Sequence, residues 1–314
     1  MIEYATTVIP ENKAICREAL ELLALVFGKE ESLLEAEQLD GYETACSTDV
    51  LFTAKEDGVL LGTCHLTVPH AFPRLGGASG LCTSMQARGK GIGKKLFGMM
   101  VEESDSRGVD TVFLGTSNPV AAAMYAQFGY SFLTGSNVMA RSTGRSLLDF
   151  YRTYYSPGPA TCQKGDASFR IPVIPLVLAR GRDMLMDANT SIFSSAVLTQ
   201  PSCMGLFPRY LDLERKGGAY YGARLASGAI CALSSVLPTS LGNRVDAFAF
   251  PGFEKELLDL LSLCEAQHKD CYAEVVEADA AKAEMFASLG YRPDAMVDHL
   301  VNSLRVPCRI WQKK

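Results

Sequence analysis

Arg88-Gly89-Lys90-Gly91-Ile92-Gly93 is the stretch on which the reading of this chain turns. It follows an apolar run at 78–84 that reads as a strand. It opens a helix over 92–106, where Ile92, Leu96, Met99, Met100 and Glu103 recur at helical spacing. A helix start leaves about four backbone N–H groups without partners. The helix dipole adds partial positive charge there, and glycines let the main chain approach a ligand closely. The combination is a cradle for a diphosphate, to which Arg88, Lys90 and Lys94 add formal charge. Two common glycine motifs do not fit. A P-loop needs Ser or Thr after its lysine, and Lys94 is followed by Lys95. A dinucleotide fingerprint needs a different third spacing than Gly89, Gly91 and Gly93 provide, and the surrounding elements do not alternate as βαβ units.

Working outward, residues 2–9 read as a strand. A helix follows Pro10, with Ile15, Ala19, Leu22, Leu23 and Val26 on one face and Gly28 at its end. A second helix covers 31–39. Its acidic residues Glu31, Glu35 and Glu37, with Asp40 beyond, either face an amine substrate or form a solvated surface. Strands at 51–54 and 59–68 flank an Asp57-Gly58 turn, a strong hairpin signal. Downstream come a strand at 111–115, a helix at 119–128 and a strand from 130.

The helix at 119–128 carries a second motif, Asn118-Pro-Val-Ala121-Ala-Ala-Met124-Tyr125-Ala-Gln-Phe-Gly129-Tyr130. An R-x-x-G-x-G turn between strand and helix, followed by N-x-x-A-x-x-M-Y-x-x-x-G-Y, resembles the paired motifs of the GNAT superfamily of acyl-CoA-dependent N-acyltransferases. The resemblance extends over about residues 1–140, where the order of elements agrees with it. It implies acetyl-CoA as co-substrate, with backbone amides of Gly89, Lys90, Gly91, Ile92 and Gly93 on the pyrophosphate and Arg88 and Lys94 beside it. It also implies main-chain bonds from Leu81, Cys82 and Thr83 to the acyl carbonyl and pantetheine arm, and a contact from Asn118, with Ala121 in the same binding set. Tyr125 is then the acid that protonates the leaving thiolate.

Chemistry independent of the resemblance agrees. Attack of an amine on a thioester builds charge on the carbonyl oxygen, which a fixed backbone N–H stabilises. The departing sulfur benefits from a nearby phenol. Alternatives stay open: Tyr125 also suits a core aromatic beside Phe128, and Asn118 also suits an N-cap ahead of Pro119. For the general base, His65 is the first candidate and Glu43 the second, and each also has a structural reading.

Residues 143–168 read as a linker, with Phe150, Tyr151, Tyr154 and Tyr155 followed by SPGPATCQKGDAS. The aromatic residues suit either packing between domains or an acceptor pocket. Beyond the linker the pattern returns: a strand at 171–179, helical potential at 183–197 and after 203, strands at 219–225 and 229–237 about Ser227-Gly228, a strand at 244–250, helix 253–267, strand 271–276, helix 279–288 and a strand from 291. Adding 161 lays Ile92 to Tyr130 on the second half without a gap, pairing Asn118 with Asp279, Tyr125 with Phe286 and Gly129-Tyr130 with Gly290-Tyr291. Upstream the offset rises to about 170, so the second copy lacks residues between Pro69 and Ile92. Its counterpart of the glycine turn is Phe250-Pro251-Gly252-Phe253-Glu254-Lys255. Glu254 would repel phosphate, and Phe286 has no proton to give.

The expected fold class is therefore α/β (α+β), two tandem GNAT-like domains, each a mixed, mostly antiparallel sheet flanked by helices. The expected domains are 1–142 as the catalytic unit, 143–168 as linker and 169–314 as a degenerate copy without a CoA site that helps wall the acceptor site. The expected function is transfer of an acetyl group to a primary amine. The alternatives are a non-catalytic acyl-CoA binder and a longer-chain N-acyltransferase similar to the N-myristoyltransferase type.

Composition bounds the rest. The 314 residues suffice for two cores, and a net charge of −5 argues against nucleic acid as a partner. The 10 Cys form no C-x-x-C pair and the 4 His lack ligand spacing, so no metal is expected. The N-terminus has no signal-peptide pattern and no apolar stretch is long enough to span a bilayer, which points to a cytoplasmic protein without a membrane partner.

Overall fold

The structure is a computed structural model that describes residues 1–133, 135–179, 184–195, 203–301 and 303–313. The chain forms two compact units, one built mainly on the residues up to Thr153 and the other mainly on those from Tyr154 onward.

The first unit runs β1 (Ile2–Val8), α1 (Lys13–Phe27), α2 (Lys29–Leu39), β2 (Ser47–Glu56), β3 (Val59–Pro69), β4 (Leu75–Thr83), α3 (Ile92–Ser106), β5 (Thr111–Gly115), α4 (Pro119–Ala126), β6 (Ser131–Phe132), β7 (Val138–Ser142) and α5 (Leu147–Tyr154). The side chain of Asn12 caps α1 by accepting from the Ile15 amide at 3.2 Å. The β2–β3 hairpin turns on Asp57 and Gly58, both at positive φ, as a two-residue hairpin turn requires. The strands form a seven-stranded sheet in the order β1-β2-β3-β4-β5-β7-β6, with every neighbour antiparallel except β4 and β5.

Alternation along the strands divides the apolar residues between two cores. Val50, Phe52, Ala54, Cys64 and Leu66 pack with Ile92, Leu96, Phe97 and Met100 of α3 on one face. Leu51 and Cys82 pack with Ile15, Ala19, Leu22 and Leu23 of α1 on the other. Glu103, expected on the inner face of α3, instead pairs with Arg107 one turn on; Val101 and Ser104 are the buried residues there.

The second unit runs β8 (Ala160–Lys164), α6 (Val173–Val177), β9 (Met184–Asp187), β10 (Ile192–Ser195), α7 (Leu206–Arg215), β11 (Ala219–Leu225), β12 (Ile230–Thr239), β13 (Gly242–Ala249), α8 (Glu254–Gln267), β14 (Cys271–Val276), α9 (Ala280–Ser288), β15 (Tyr291–Val301) and β16 (Leu304–Lys313). Its large sheet, read as β8-β11-β12-β13-β14-β16-β15, has the order of the first, and again one pair alone, β13 and β14, is parallel. The +161 correspondence is visible in the elements: α3 matches α8, the Asn118 cap matches the Asp279 cap, and Gly129 and Gly290 share a positive φ. The residues missing from the second copy fall mainly in two connections, 240–241 against 70–74 and 250–253 against 84–91, with β13 shorter than β4 as well.

Three sequence expectations need correction. Residues 171–179 do not form a strand: 173–177 is helical and wholly buried. A short apolar run does not distinguish a buried strand from a buried helix. Pro175 lacks the N–H a ladder needs but fits a first helical turn. The edge strand of the second sheet is instead β8, inside the segment read as a linker, which also contains α5. The segment 183–197, read as helical, contains the β9–β10 hairpin; residues 180–183 and 196–202 lie outside the described residues. The aromatic cluster divides. Phe150 packs on Phe113 of the first sheet, while Tyr155 stacks on Phe250 in the second unit with ring centroids 3.8 Å apart.

Candidate active site

The parallel pair β4–β5 holds together over only three positions, Leu75↔Thr111, Gly76↔Val112 and Gly77↔Phe113. Beyond Gly77 the strands part, and residues 78–83 have no strand partner on that edge. A cavity of about 500 Å³ occupies the gap. Its walls are Ala78–Leu81 from β4, Leu114–Asn118 from β5 and the turn after it, and Phe97, Ala121 and Tyr125 from the two helices above, with Phe27 from the end of α1.

At one end of this gap α3 begins. Gly91 is its N-cap, in the left-handed conformation at φ +77°, and no side chain caps the helix. Gly89 has the same hand, at φ +79°, and a side chain there would point into open space, so conformation rather than crowding requires the glycines. The first helical bond runs from the Lys95 amide to the Gly91 carbonyl, which leaves the preceding amides without intrahelical partners. Ile92 buries its side chain in the core and presents only its main chain. Arg88, Lys90 and Lys94 are exposed around this start. Arg88 bonds the Thr83 carbonyl, Lys90 lies 3.9 Å from Glu56, and Lys94 bonds Gln127.

Within β4 the register to β3 jumps: Thr63 faces Cys82, but His65 faces Ser79, so Gly80 and Leu81 stand against Cys64 alone. This is a β-bulge, a device that re-aims backbone groups beside functional sites. Gly80 supplies the positive φ, +58°, and the Thr63 hydroxyl ties its carbonyl down at 2.7 Å. Leu81 lies on the cavity wall. Cys82 does not: its side chain belongs to the α1 core, and burial pushes its thiol up to about 11. Thr83 ends the strand beside Gly93, whose absent side chain would meet the Thr83 hydroxyl.

Asn118 does the capping job. Its Oδ1 accepts from the Val120 amide at 2.9 Å and more weakly from Ala121. Its Nδ2 makes no hydrogen bond among the described residues, and the residue lines the cavity. Tyr125 is both core aromatic and wall. Its ring packs on Phe97 at 4.6 Å, and it is buried, which drives the phenol above its usual range. It therefore stays protonated at any working pH.

His65 does not match its expected role as base. It is 1% exposed, Nε2 donates to Asp49 at 3.1 Å and Nδ1 to Glu35 at 3.2 Å. Burial alone would lower its pKa, but the two carboxylates outweigh that and raise it to about 9. At neutral pH the ring is an imidazolium without a free lone pair, and it is not part of the cavity wall. Glu43 is buried in the turn before β2 and also lies off the wall. Glu35 of α2 is not on the wall either, but its carboxylate lies against the wall residue Gly80. A side chain at Gly80 would lie 2.8 Å from its Oε2. Sequence reasoning left Glu35 within an acidic run, and Phe27 carried no signal at all.

In the second unit the matching gap is closed. The β13–β14 pair is parallel over two positions, Asn243↔Cys271 and Arg244↔Tyr272. Just beyond, Asp246 of β13 accepts a 2.6 Å bond from Lys282, which stands where α4 has Ala121, and the same ammonium bonds the Met186 carbonyl of the β9–β10 hairpin. Asp246 also accepts from the Ala188 amide. At the start of α8, Glu254 takes the Gly252 amide for itself, and Phe250 and Phe253 pack on Tyr155. The described residues contain no cluster of three or more His, Cys, Asp or Glu placed to hold a metal, and no helix long and apolar enough to cross a membrane.

Residues 17–130 match the model of the acetyltransferase (GNAT) family. No curated protein sequence matches the chain. Solved structures similar to it include a GNAT-family acetyltransferase from Staphylococcus aureus Mu50, with 17% identity, 44% of this chain and 99% of that one covered, and a TM-score of 0.36. An acyl-CoA N-acyltransferase from Pseudomonas aeruginosa shares 20% identity over 45% of this chain and 100% of that one, at 0.38. An aminoglycoside 6'-N-acetyltransferase complexed with coenzyme A shares 17% identity over 45% and 98%, at 0.35.

Proposed function

We propose that the first unit, whose residues 17–130 match the model of the acetyltransferase (GNAT) family, transfers an acetyl group from acetyl-CoA to a primary amine by direct attack. The observation that carries the proposal is the parting of β4 and β5 beyond Gly77↔Phe113, with an uncapped helix start at one end of the gap and a buried phenol above it.

In this reading the amides at Gly89–Gly93 hold the pyrophosphate, and the exposed Arg88, Lys90 and Lys94 add charge around it. The pantetheine arm enters the gap, where the unpaired edge of β4 offers main-chain groups and Asn118 its free Nδ2. The bulge at Gly80–Leu81 turns backbone toward the thioester carbonyl, whose oxygen gains charge as the amine attacks. Tyr125 keeps its proton until sulfur departs, then hydrogen-bonds or protonates the thiolate. A 500 Å³ cavity suits the arm with a short acyl group rather than a long chain. The second unit, with its gap filled by Lys282, Asp246 and the β9–β10 hairpin, binds no coenzyme.

Calorimetry with acetyl-CoA and with palmitoyl-CoA, followed by thiol release over a panel of primary amines, tests the reading. One acetyl-CoA per chain, with turnover of at least one amine, is the expected result. Binding without turnover of any amine supports a non-catalytic binder instead, preference for palmitoyl-CoA supports the longer-chain reading, and no binding rejects all three.

A further inference from the structure

Resting on the transferase reading above, we propose that Glu35 is the group that takes the proton from the acceptor, and that the acceptor therefore enters as a cationic primary amine. His65 and Asp49 act behind it as positioning residues.

The geometry has three parts. First, Glu35 lies against the cavity wall at the bulge of β4. The bulge residues Ser79, Gly80 and Leu81 form the cavity wall, and the Glu35 carboxylate lies against the bare Cα of Gly80. Any side chain at Gly80 would displace it. Second, Glu35 is held but not saturated. Oε2 accepts from His65 Nδ1 at 3.2 Å, whereas Oε1 has no hydrogen bond among the described residues, and the side chain keeps 13% of its surface open. Asp49, at the other side of the ring, has no such freedom. It is fully buried and accepts from His65, Gln38, Thr67 and Ser47. Third, the charges do not cancel. Two carboxylates flank one imidazolium, and Asp49 with its four donors forms the neutral pair. Of the two carboxylates, Glu35 is the one that lies against the cavity wall, at Gly80. Burial raises the neighbouring Cys64 and Cys82 thiols, and the Glu35 carboxylate adds to the rise, so these stay neutral. A desolvated negative charge beside a reaction centre attracts a cation strongly.

The step balances as follows. The ammonium gives one proton to Glu35, and its freed lone pair forms the N–C bond. The C–S bond breaks with its electrons on sulfur, which takes a proton from Tyr125. Tyr125 recovers one from the nitrogen that becomes the amide, and Glu35 releases its proton to solvent.

Two small probes separate a base from a structural prop. Ethylamine is protonated near neutral pH and needs a base. Hydroxylamine is neutral there and does not. With acetyl-CoA as donor, Glu35→Gln is expected to lose about a hundredfold of its ethylamine rate. It should keep its hydroxylamine rate and its acetyl-CoA affinity, and Glu35→Asp should restore part of the ethylamine rate. Equal losses for both amines, or no loss for either, overturn the assignment. So does an unaltered protein that binds acetyl-CoA yet acetylates neither amine. If Glu35→Gln no longer binds acetyl-CoA, Glu35→Asp decides by the same comparison. Failure of the unaltered protein to bind acetyl-CoA at all instead rejects the transferase reading on which this one rests.

Discussion

The gap between β4 and β5 and the gap between β13 and β14 are built alike and used in opposite ways. Both open where a parallel pair stops after two or three positions, and both lie under a helix that begins with a side-chain cap, Asn118 in one and Asp279 in the other. The first gap is a cavity. The second is filled by a buried ammonium, a buried carboxylate and a hairpin. A splayed sheet thus creates a cost, because unpaired strand edges cannot stay buried without partners. Either a ligand supplies those partners or the protein does.

The contrast can be broken most forcefully from the second side. Lys282→Met leaves Asp246 buried without its cation, next to Asp187, whose own carboxyl burial and Asp246 already push up. The variant should lose about 3–5 kcal/mol in denaturant unfolding of the second unit and gain no affinity for acetyl-CoA. If coenzyme bound at the vacated place, the second unit would be a masked site and not a degenerate one. On the first side, Tyr125→Phe should slow acetyl transfer by about a hundredfold at unchanged acetyl-CoA affinity, read by steady-state kinetics beside calorimetry. An unchanged rate would make Tyr125 a packing residue only.

A smaller effect is expected from Gly91→Val. A branched side chain in the left-handed conformation costs about 1–2 kcal/mol, so acetyl-CoA should bind about tenfold more weakly. Gly252→Val at the corresponding turn of the second unit should leave binding untouched, although Gly252 also has a positive φ. A pH dependence is also expected of the first unit. His65 is raised from 6.5 to about 9 by Asp49 and Glu35, despite its burial. A group with a raised folded pKa stabilises fully below its unfolded pKa and loses that contribution as pH rises through the folded value. Asp49 is shifted the other way: burial opposes it, but bonds from His65, Ser47 and Thr67 hold its carboxyl below the usual range. Its contribution is lost only as pH falls below the ordinary carboxylate range. The first unit should therefore melt progressively lower between about pH 6.5 and 9, and His65→Gln should flatten that slope in differential scanning calorimetry.

Much of the proposed coenzyme end was legible in the sequence because the relevant interactions are local. The glycines at 89 and 91 and the cap at Asn118 act within four residues of themselves, so spacing alone reveals them. The proposed acceptor end was not legible. The contacts that put Glu35, Asp49 and His65 together join residues 30 and 16 positions apart, on a helix and two strands. His65 was singled out for its residue type, but its two carboxylate partners, which remove its lone pair, have no signature in one dimension. The strand at 160–164 was missed for a related reason. Its pairing with β11 is decided by a free sheet edge and not by its own alternation.

By itself the sequence determined the motif pair, the gapless +161 correspondence and the loss of the glycine turn from the second half, since each rests on neighbours along the chain. Tertiary structure alone decided which carboxylate lies against Gly80 and what fills the second gap. Both depend on the charge and space left over when distant strands part. A parallel pair ends where the twist of the sheet and the side chains above it dictate, and no run of residues encodes that point on its own.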